Sequence, residues 1–238
     1  MTPTTTRPGQ AVPELLASRA HTAAFVGVFL LLTVAGSLFQ LSAPSHPGRL
    51  QQHPGVIRLY VSLIVAEWAL VFWVSRGVRR SGTRLGDLPG GRWSSPTQIG
   101  TDALIAAAIW TLWVGGQLAR DHWFGPDPAA SIGTLLPRQP IEAVLWIALS
   151  VSAGFCEEVA FRGYLQRQFA ALTGNSVLAV VMQAVLFGIS HGYQGVRATA
   201  TIAAYGMLLG LVALWRRSLR PGMLAHAWSD IFAGLLVR

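Results

Sequence analysis

Two adjacent glutamates, Glu157 and Glu158, stand near the end of an apolar stretch that covers residues 141–161. About 20 apolar residues are enough for a helix to cross a bilayer. An ionised carboxylate at the centre of such a helix costs roughly 2.5 to 3.5 kcal/mol even on the lenient insertion scale, so it indicates a functional site with a partner group. Arg162, four residues after Glu158, is a partner of the right charge.

The spacing of these groups predicts different roles for the two glutamates. Residues four apart share one face of an α-helix, so Glu158 and Arg162 can form an ion pair. Glu157 points about 100° away from Glu158 around the helix axis and stays outside that pair. We therefore predict one glutamate that is held by an arginine and one that is available for chemistry.

Two later apolar segments contain pairs of residues with the same four-residue spacing. Phe187 and His191 are four residues apart, and so are His226 and Asp230, so the last segment presents an imidazole and a carboxylate on one face. From helical rise alone, His226 is expected near the opposite end of the bundle, because it follows Pro221 by only five residues. Only a loop that dips into the bundle, or a site at mid-depth, brings it to the other groups.

A helix-breaking turn is predicted at residues 172–176, which contain Gly174. Glu157 lies seventeen residues before Gly174, and His191 lies seventeen residues after it. If the chain reverses at this glycine, the two side chains stand at a similar height on neighbouring antiparallel helices. They can then contribute to one site.

The composition is that of a membrane protein. Apolar residues make up 52% of the 238, charged residues make up 12%, and the mean hydropathy is +0.47, whereas a soluble domain has about 25% charged residues. We predict an all-α polytopic membrane protein with about seven (six to eight) transmembrane helices and the site inside its C-terminal four-helix half. The apolar segments are 23–41, 56–75, 99–119, 141–161, 177–190, 198–215 and 223–237.

The domain organisation is predicted to be simple, because no loop is long enough for a second domain. Residues 1–22 are interpreted as a polar cytoplasmic tail and residues 23–238 as a single membrane domain, within which residues 141–238 contain the polar groups described above. The single cysteine, Cys156, excludes an intrachain disulfide and is interpreted as a packed apolar residue. Glu67, Asp102 and Gln117 each stand alone and are interpreted as structural.

The arginines predict the orientation in the cell membrane. With Arg162 set aside, eleven lie in the N-terminal tail and the even-numbered loops, and six lie on the other side; the positive-inside rule therefore places the N-terminus in the cytoplasm. Many of these arginines lie beside apolar segments, where they contact anionic membrane lipids, so the net charge of +8 does not indicate nucleic acid. The eleven are Arg7, Arg19, Arg76, Arg79, Arg80, Arg84, Arg92, Arg167, Arg216, Arg217 and Arg220, and the six are Arg49, Arg58, Arg120, Arg138, Arg197 and Arg238.

Three sequence motifs resemble those of a known family. EEVAFRG at residues 157–163 is similar to the EExxxR motif, with its FRG continuation, of the CPBP family, the CAAX-processing and bacteriocin-processing group also called the Rce1 or ABI family. FGISH at residues 187–191 resembles that family's FxxxH motif, and HAWSD at residues 226–230 resembles its HxxxN or HxxxD motif. Order and spacing agree, and the resemblance covers residues 141 to the C-terminus, so residues 141–238 would form the catalytic core.

The resemblance implies an intramembrane endopeptidase that acts on a membrane-associated protein or peptide. Glu157 would be the base that activates a water, His191 would hold or polarise that water, and His226 with Asp230 would support the oxyanion or the substrate carbonyl. The implied catalytic residues are Glu157, Glu158, Arg162, His191, His226 and Asp230.

The third motif departs from the commoner pattern, in which Asn stands where this chain has Asp230. An ionised aspartate cannot donate to an oxyanion, although it can orient His226. The family has been described both as metalloproteases and as metal-independent glutamate proteases, and HExxH is absent. No cofactor is favoured; zinc stays open, with His191, His226 and Glu158 as its ligands.

Two other functions stay open. The chain could be a proteolytically inactive immunity or scaffold protein that binds a peptide or a partner in the same cavity, although such a binder has no need of an unpaired glutamate. It could instead be a small proton-coupled transporter, although transporters commonly contain internal repeats and this sequence contains none. Whether the substrate carries a lipid is not indicated by the sequence.

Overall fold

The computed structural model describes residues 14–42, 55–125 and 135–236, and all regular structure within them is helical. The helices are α1 (Arg19–Ser42), α2 (Val56–Arg79), α3 (Pro96–Phe124), α4 (Pro140–Glu157), a π-helical segment (Glu158–Leu165), α5 (Gln166–Thr173), α6 (Ser176–Ile189), α7 (Val196–Arg216) and α8 (Arg220–Leu236). From α4 to α5 the chain is one continuous helix of 34 residues. The all-α prediction is confirmed. The division into a tail and one membrane domain stays a prediction, and most of the tail lies outside the described residues.

Five helices are long and apolar enough to cross a membrane by length and composition: α1, α2, α3, the continuous helix Pro140–Thr173, and α7. Their outward faces expose large apolar side chains, such as Leu31 at 71% and Leu104 at 74%, to the position that lipid occupies. Helices α6 and α8 are shorter, with 14 and 17 residues. The chain is therefore a multi-pass helical membrane protein.

The predicted turn between α5 and α6 is confirmed. Gly174 adopts a left-handed conformation, with φ +67°, and ends α5. The side chain of Asn175 then accepts hydrogen bonds from the backbone N–H groups of Val177 and Leu178, both at 3.0 Å, and so caps α6. These two residues reverse the chain and place α6 against the continuous helix.

Long-range contacts define two ends of the bundle. At the first end, which we call the arginine-rich end, Ser81 Oγ donates to the carbonyl of Leu16 at 2.6 Å, and the Leu16 N–H donates to Gln168 at 2.6 Å. At the second end, which we call the cavity end, Tyr60 donates to the carbonyl of Leu135, and Arg197 donates to the carbonyl of Gly125. Helix α2 and the continuous helix Pro140–Thr173 run from the cavity end toward the arginine-rich end.

Helix α8 begins inside the bundle, and this corrects the expected position of His226. The loop between α7 and α8 folds inward under the carbonyl of Pro89, which accepts hydrogen bonds from the Leu219 N–H at 3.1 Å and from Ser218 Oγ at 3.2 Å. Leu219 packs beside Gly163 of the π-helical segment, ten residues before the end of α5, which corresponds to about 15 Å of helix. The position of His226 expected from helical rise alone is therefore wrong, because the loop before α8 folds into the bundle.

Close contact between α4 and α8 depends on Gly154. A Cβ at this position would lie 2.8 Å from the carbonyl oxygen of Met223 and 2.9 Å from the Cβ of Ala227. We expect Gly154→Ala to lower the free energy of unfolding by about 1–3 kcal/mol, because the backbone of α8 must move away. Thermal unfolding in detergent measures this effect. Gly115→Ala is the control, because no atom of the described residues lies within 4 Å of a Cβ there. Equal melting temperatures for the two variants would contradict the prediction.

Candidate active site

The predicted ion pair forms the buried centre of the site. Arg162 Nη1 donates to Glu158 Oε1 at 2.7 Å, and both side chains are fully buried. The other terminal nitrogen of Arg162 donates to the carbonyl of Gly206 at 3.2 Å, and the guanidinium lies 4.3 Å from the ring centroid of Phe187. The pairing of Glu158 with Arg162 is confirmed.

The pair lies in the π-helical segment, which the sequence did not predict. A π-helix has i→i+5 hydrogen bonds and commonly occurs at functional sites. Gly163 lies in this segment, and a Cβ there would be 3.1 Å from Leu219 and 3.3 Å from Leu88, so the segment packs tightly against two loops. The glycine inside the motif is the one local signal of this close packing, and it does not specify a π-helix.

His226 lies between three carboxylates. Its Nδ1 is 3.2 Å from Glu158 Oε1, and its Nε2 is 3.7 Å from Glu157 Oε2 and 3.6 Å from Asp230 Oδ2. The side chains of His226 and Glu158 are buried, whereas those of Glu157 and Asp230 are 20% and 39% exposed. The buried side of the imidazole therefore faces the ion pair, and its accessible side faces the other two carboxylates.

His191 lies just past the C-terminal end of α6. Its Nδ1 is 2.9 Å from the carbonyl oxygen of Phe187 and 3.0 Å from Ser190 Oγ. Because a carbonyl can only accept, the proton is assigned to Nδ1, which leaves Nε2 as an acceptor. A neutral imidazole held in this tautomer can accept a hydrogen bond from water.

A cavity of about 340 Å³ connects these groups, and Glu157, His191, His226 and Asp230 all line it. Six of the helices described above and two loops contribute to its wall. The six predicted site residues are thus brought to one place, four of them at the cavity and the Glu158–Arg162 pair directly behind His226. Their catalytic roles stay predictions.

The cavity includes a carboxylate that sequence reasoning missed. Glu67 of α2 was interpreted as structural, but it lines the cavity with Glu157, and its buried Oε2 has no hydrogen-bond partner among the described residues. Gln117 of α3 lines the cavity too. A carboxylate near the centre of a spanning segment was the available signal. Asp102, by contrast, does not stand alone but forms ion pairs with Arg216 and Arg220 at 2.9 and 3.3 Å. Its structural role stays a prediction.

The ligand set considered for zinc does not fit the geometry. Glu158 Oε1 is already held by Arg162 Nη1 and lies 3.2 Å from His226 Nδ1, so these atoms face one another and not a shared central position. A zinc site requires its ligands to converge at about 2.0 to 2.2 Å from the metal. Over residues 14–42, 55–125 and 135–236, no three His, Cys, Asp or Glu side chains form such a group.

The fold and the site define a polytopic helical membrane protein with a cluster of acidic and basic groups at the inner end of a cavity. Residues 139–232 match the family model described as type II CAAX prenyl endopeptidase Rce1-like, which confirms the resemblance seen in the three motifs. The family is one of proteases, and the match supports a peptidase. No protein with a curated description and no solved structure matches the chain.

Proposed function

We propose that this protein is an intramembrane endopeptidase that hydrolyses a peptide bond of a membrane-associated protein or peptide, with a water activated by Glu157. The observation that carries the proposal is the difference between the two adjacent glutamates. Glu158 is fully buried and bonded to Arg162, whereas Glu157 is 20% exposed and faces the cavity. A base must reach the water whose proton it removes.

The proposal assigns one group to each step of the reaction. The Glu157 carboxylate takes a proton from a water that also donates to His191 Nε2, and the water oxygen attacks the carbonyl carbon of the scissile bond. The carbonyl becomes an oxyanion, and His226 Nε2, when protonated, is a donor at the accessible side of the site. Glu157 then returns the proton to the leaving amine as the carbon–nitrogen bond breaks.

The buried pair acts through His226. Glu158 accepts from Nδ1 and fixes the ring orientation, while Arg162, which also donates to the carbonyl of Gly206, fixes Glu158. A hydrogen bond to the second ring nitrogen determines which nitrogen is presented to a substrate. On this proposal Glu158 and Arg162 are positioning residues, and no step requires a metal.

The proposal is tested by comparing membranes that contain the native chain with membranes that contain Glu157→Gln. The measurement is the appearance of new protein N-termini, and we expect at least one membrane-associated protein whose cleavage requires Glu157. If both membranes contain the same N-termini and the chain instead retains a bound partner protein, the inactive scaffold would be the better explanation. Proton-coupled uptake that is lost in the variant would favour the transporter.

A substitution at Asp230 tests separately whether hydrolysis depends on a bound metal. We expect Asp230→Asn to keep the cleavage rate within about fivefold, a change of about 1 kcal/mol, because Asp230 Oδ2 is 3.6 Å from His226 Nε2, beyond hydrogen-bond distance. Chelators should leave the rate unchanged. The checks are the rate of each purified protein and its metal content. One zinc per chain, lost together with activity on chelation and restored with it, would contradict this expectation.

A further inference from the structure

Hydrolysis of a peptide bond places negative charge on the carbonyl oxygen, and the third motif supplies only one donor for that charge. His226 Nε2 donates when it is protonated, whereas an ionised Asp230, whose Oδ2 lies 3.6 Å from that nitrogen, has no proton to donate. The Asn of the commoner motif would supply an N–H. Because the loss of one oxyanion donor costs about 10²- to 10³-fold in kcat, a second donor is expected elsewhere in the cavity wall.

Hydroxyl groups line the cavity at six residues, and five of these groups donate their proton within the protein. The Ser229 hydroxyl donates to the carbonyl of Ala225 at 2.8 Å, and its oxygen accepts from the Tyr205 hydroxyl at 3.0 Å. Three further hydroxyls donate to backbone carbonyls, and they belong to Tyr60, Ser150 and Thr201. None of these five can turn toward a substrate without losing its bond.

The sixth hydroxyl, that of Tyr193, accepts a hydrogen bond but donates none to the described residues. Its oxygen accepts from the side-chain amide of Gln194 at 2.9 Å, so its own proton can point into the cavity. Partial burial raises the pKa of the Tyr193 phenol above its ordinary value, and the charges of Glu157 and Asp230 raise it further. The hydroxyl therefore keeps its proton at neutral pH.

A short turn holds Tyr193 beside His191. The N–H of Gln194 donates to the carbonyl of His191 at 2.9 Å, and Gly195, with φ +93°, ends the turn in a conformation that favours glycine. The rings of Tyr193 and His191 are nearly parallel, at 28°, with their centroids 6.2 Å apart. The phenol is thus placed next to the imidazole that holds the water in the proposed reaction.

We infer that Tyr193 is a further catalytic residue, whose hydroxyl donates a hydrogen bond to the oxyanion where this chain lacks the Asn of the third motif. As the water oxygen attacks the carbonyl carbon, the Tyr193 O–H and His226 Nε2 both donate to the carbonyl oxygen. The Tyr193 O–H bond stays intact throughout, so the route of the proton from water through Glu157 to the leaving amine is unchanged. The inference rests on the proposed peptidase function.

Tyr193→Phe tests the inference, because it removes the hydroxyl and keeps the ring. The substrate is a peptide that spans a cleavage site found to require Glu157, and the measurements are kcat, KM and the melting temperature of the purified protein. We expect kcat to fall about 10²-fold, with KM changed less than about threefold and the melting temperature unchanged. Thr201→Val is the control, because it removes a hydroxyl of the same wall whose proton is bonded within its own helix; kcat should stay within about fivefold.

Asp230→Asn in the Tyr193→Phe background provides the second test, because it adds an amide N–H at the position where the commoner motif has one. We expect this double variant to have a kcat at least about tenfold above that of Tyr193→Phe alone. A purely structural role of Tyr193 predicts no such rescue, since Asn at position 230 restores none of the contacts of Tyr193.

Three results would overturn the inference. The first is an unchanged kcat in Tyr193→Phe, or a higher KM without a lower kcat. The second is a double variant that is no faster than Tyr193→Phe. The third concerns Gln117 of α3, whose side-chain amide also lines the cavity: a loss of kcat in Gln117→Leu but not in Tyr193→Phe would assign the donor to that amide.

The inference and the proposed function fail in different ways. Cleavage that requires Glu157 but not the Tyr193 hydroxyl would remove the inferred donor and leave the peptidase. If no cleavage requires Glu157, the peptidase and the inferred donor are both removed.

Discussion

Glu157→Gln should lower peptide-bond hydrolysis by about 10²- to 10⁴-fold while the protein keeps its fold, because a general base contributes a factor of that size. The amide has the shape of the carboxylate but cannot accept a proton from water. Little structure depends on this side chain: its Oε2 has no hydrogen-bond partner in the described part of the chain, and its contact with His226 is 3.7 Å long. Rates and melting temperatures of the purified proteins measure the two effects.

Glu67→Gln is the matched control for this variant. Glu67 lines the same cavity and also has an oxygen without a hydrogen-bond partner among the described residues. Removing it changes the charge of the cavity without removing the proposed base, so the rate should fall much less than in Glu157→Gln. Equal losses in the two variants, or full cleavage by Glu157→Gln, would contradict the role of Glu157 as the base.

Glu158→Gln should lower the free energy of unfolding by about 3–5 kcal/mol, because it leaves the charge of Arg162 buried without a countercharge. The Arg162 side chain is fully buried, and its remaining hydrogen bond in the described structure is to the carbonyl of Gly206. Unfolding in detergent and the yield of folded protein measure the loss. The isosteric Glu157→Gln is the comparison, and equal melting temperatures for the two would contradict the prediction.

A double substitution separates lost charge balance from lost packing. Glu158→Gln together with Arg162→Met removes both charges and keeps an unbranched side chain at the second position. If the buried unpaired charge causes the instability, the double variant should be more stable than Glu158→Gln alone. If the double variant is less stable, the contacts of Arg162 with Phe187 and Gly206 contribute more than the charge balance.

The sequence by itself determined the features that arise within one helix or one turn. Its composition and apolar segments predicted a polytopic helical protein, because a helix in a membrane must be apolar over about 20 residues wherever its neighbours lie. The four-residue spacing predicted the Glu158–Arg162 pair, since both residues share one helical face. Gly174 predicted the turn, because its left-handed conformation is favourable mainly for glycine.

Only the tertiary structure decided which helices meet at the site and at what height. His226 reaches Glu158 because the loop before α8 folds inward beneath Pro89, a contact between segments about 130 residues apart that no local spacing encodes. Glu67 joins the cavity for the same kind of reason, since α2 packs beside α4. Helical periodicity specifies the direction in which each side chain points around the axis of its own helix. The height of that side chain relative to neighbouring helices depends on contacts between distant parts of the chain.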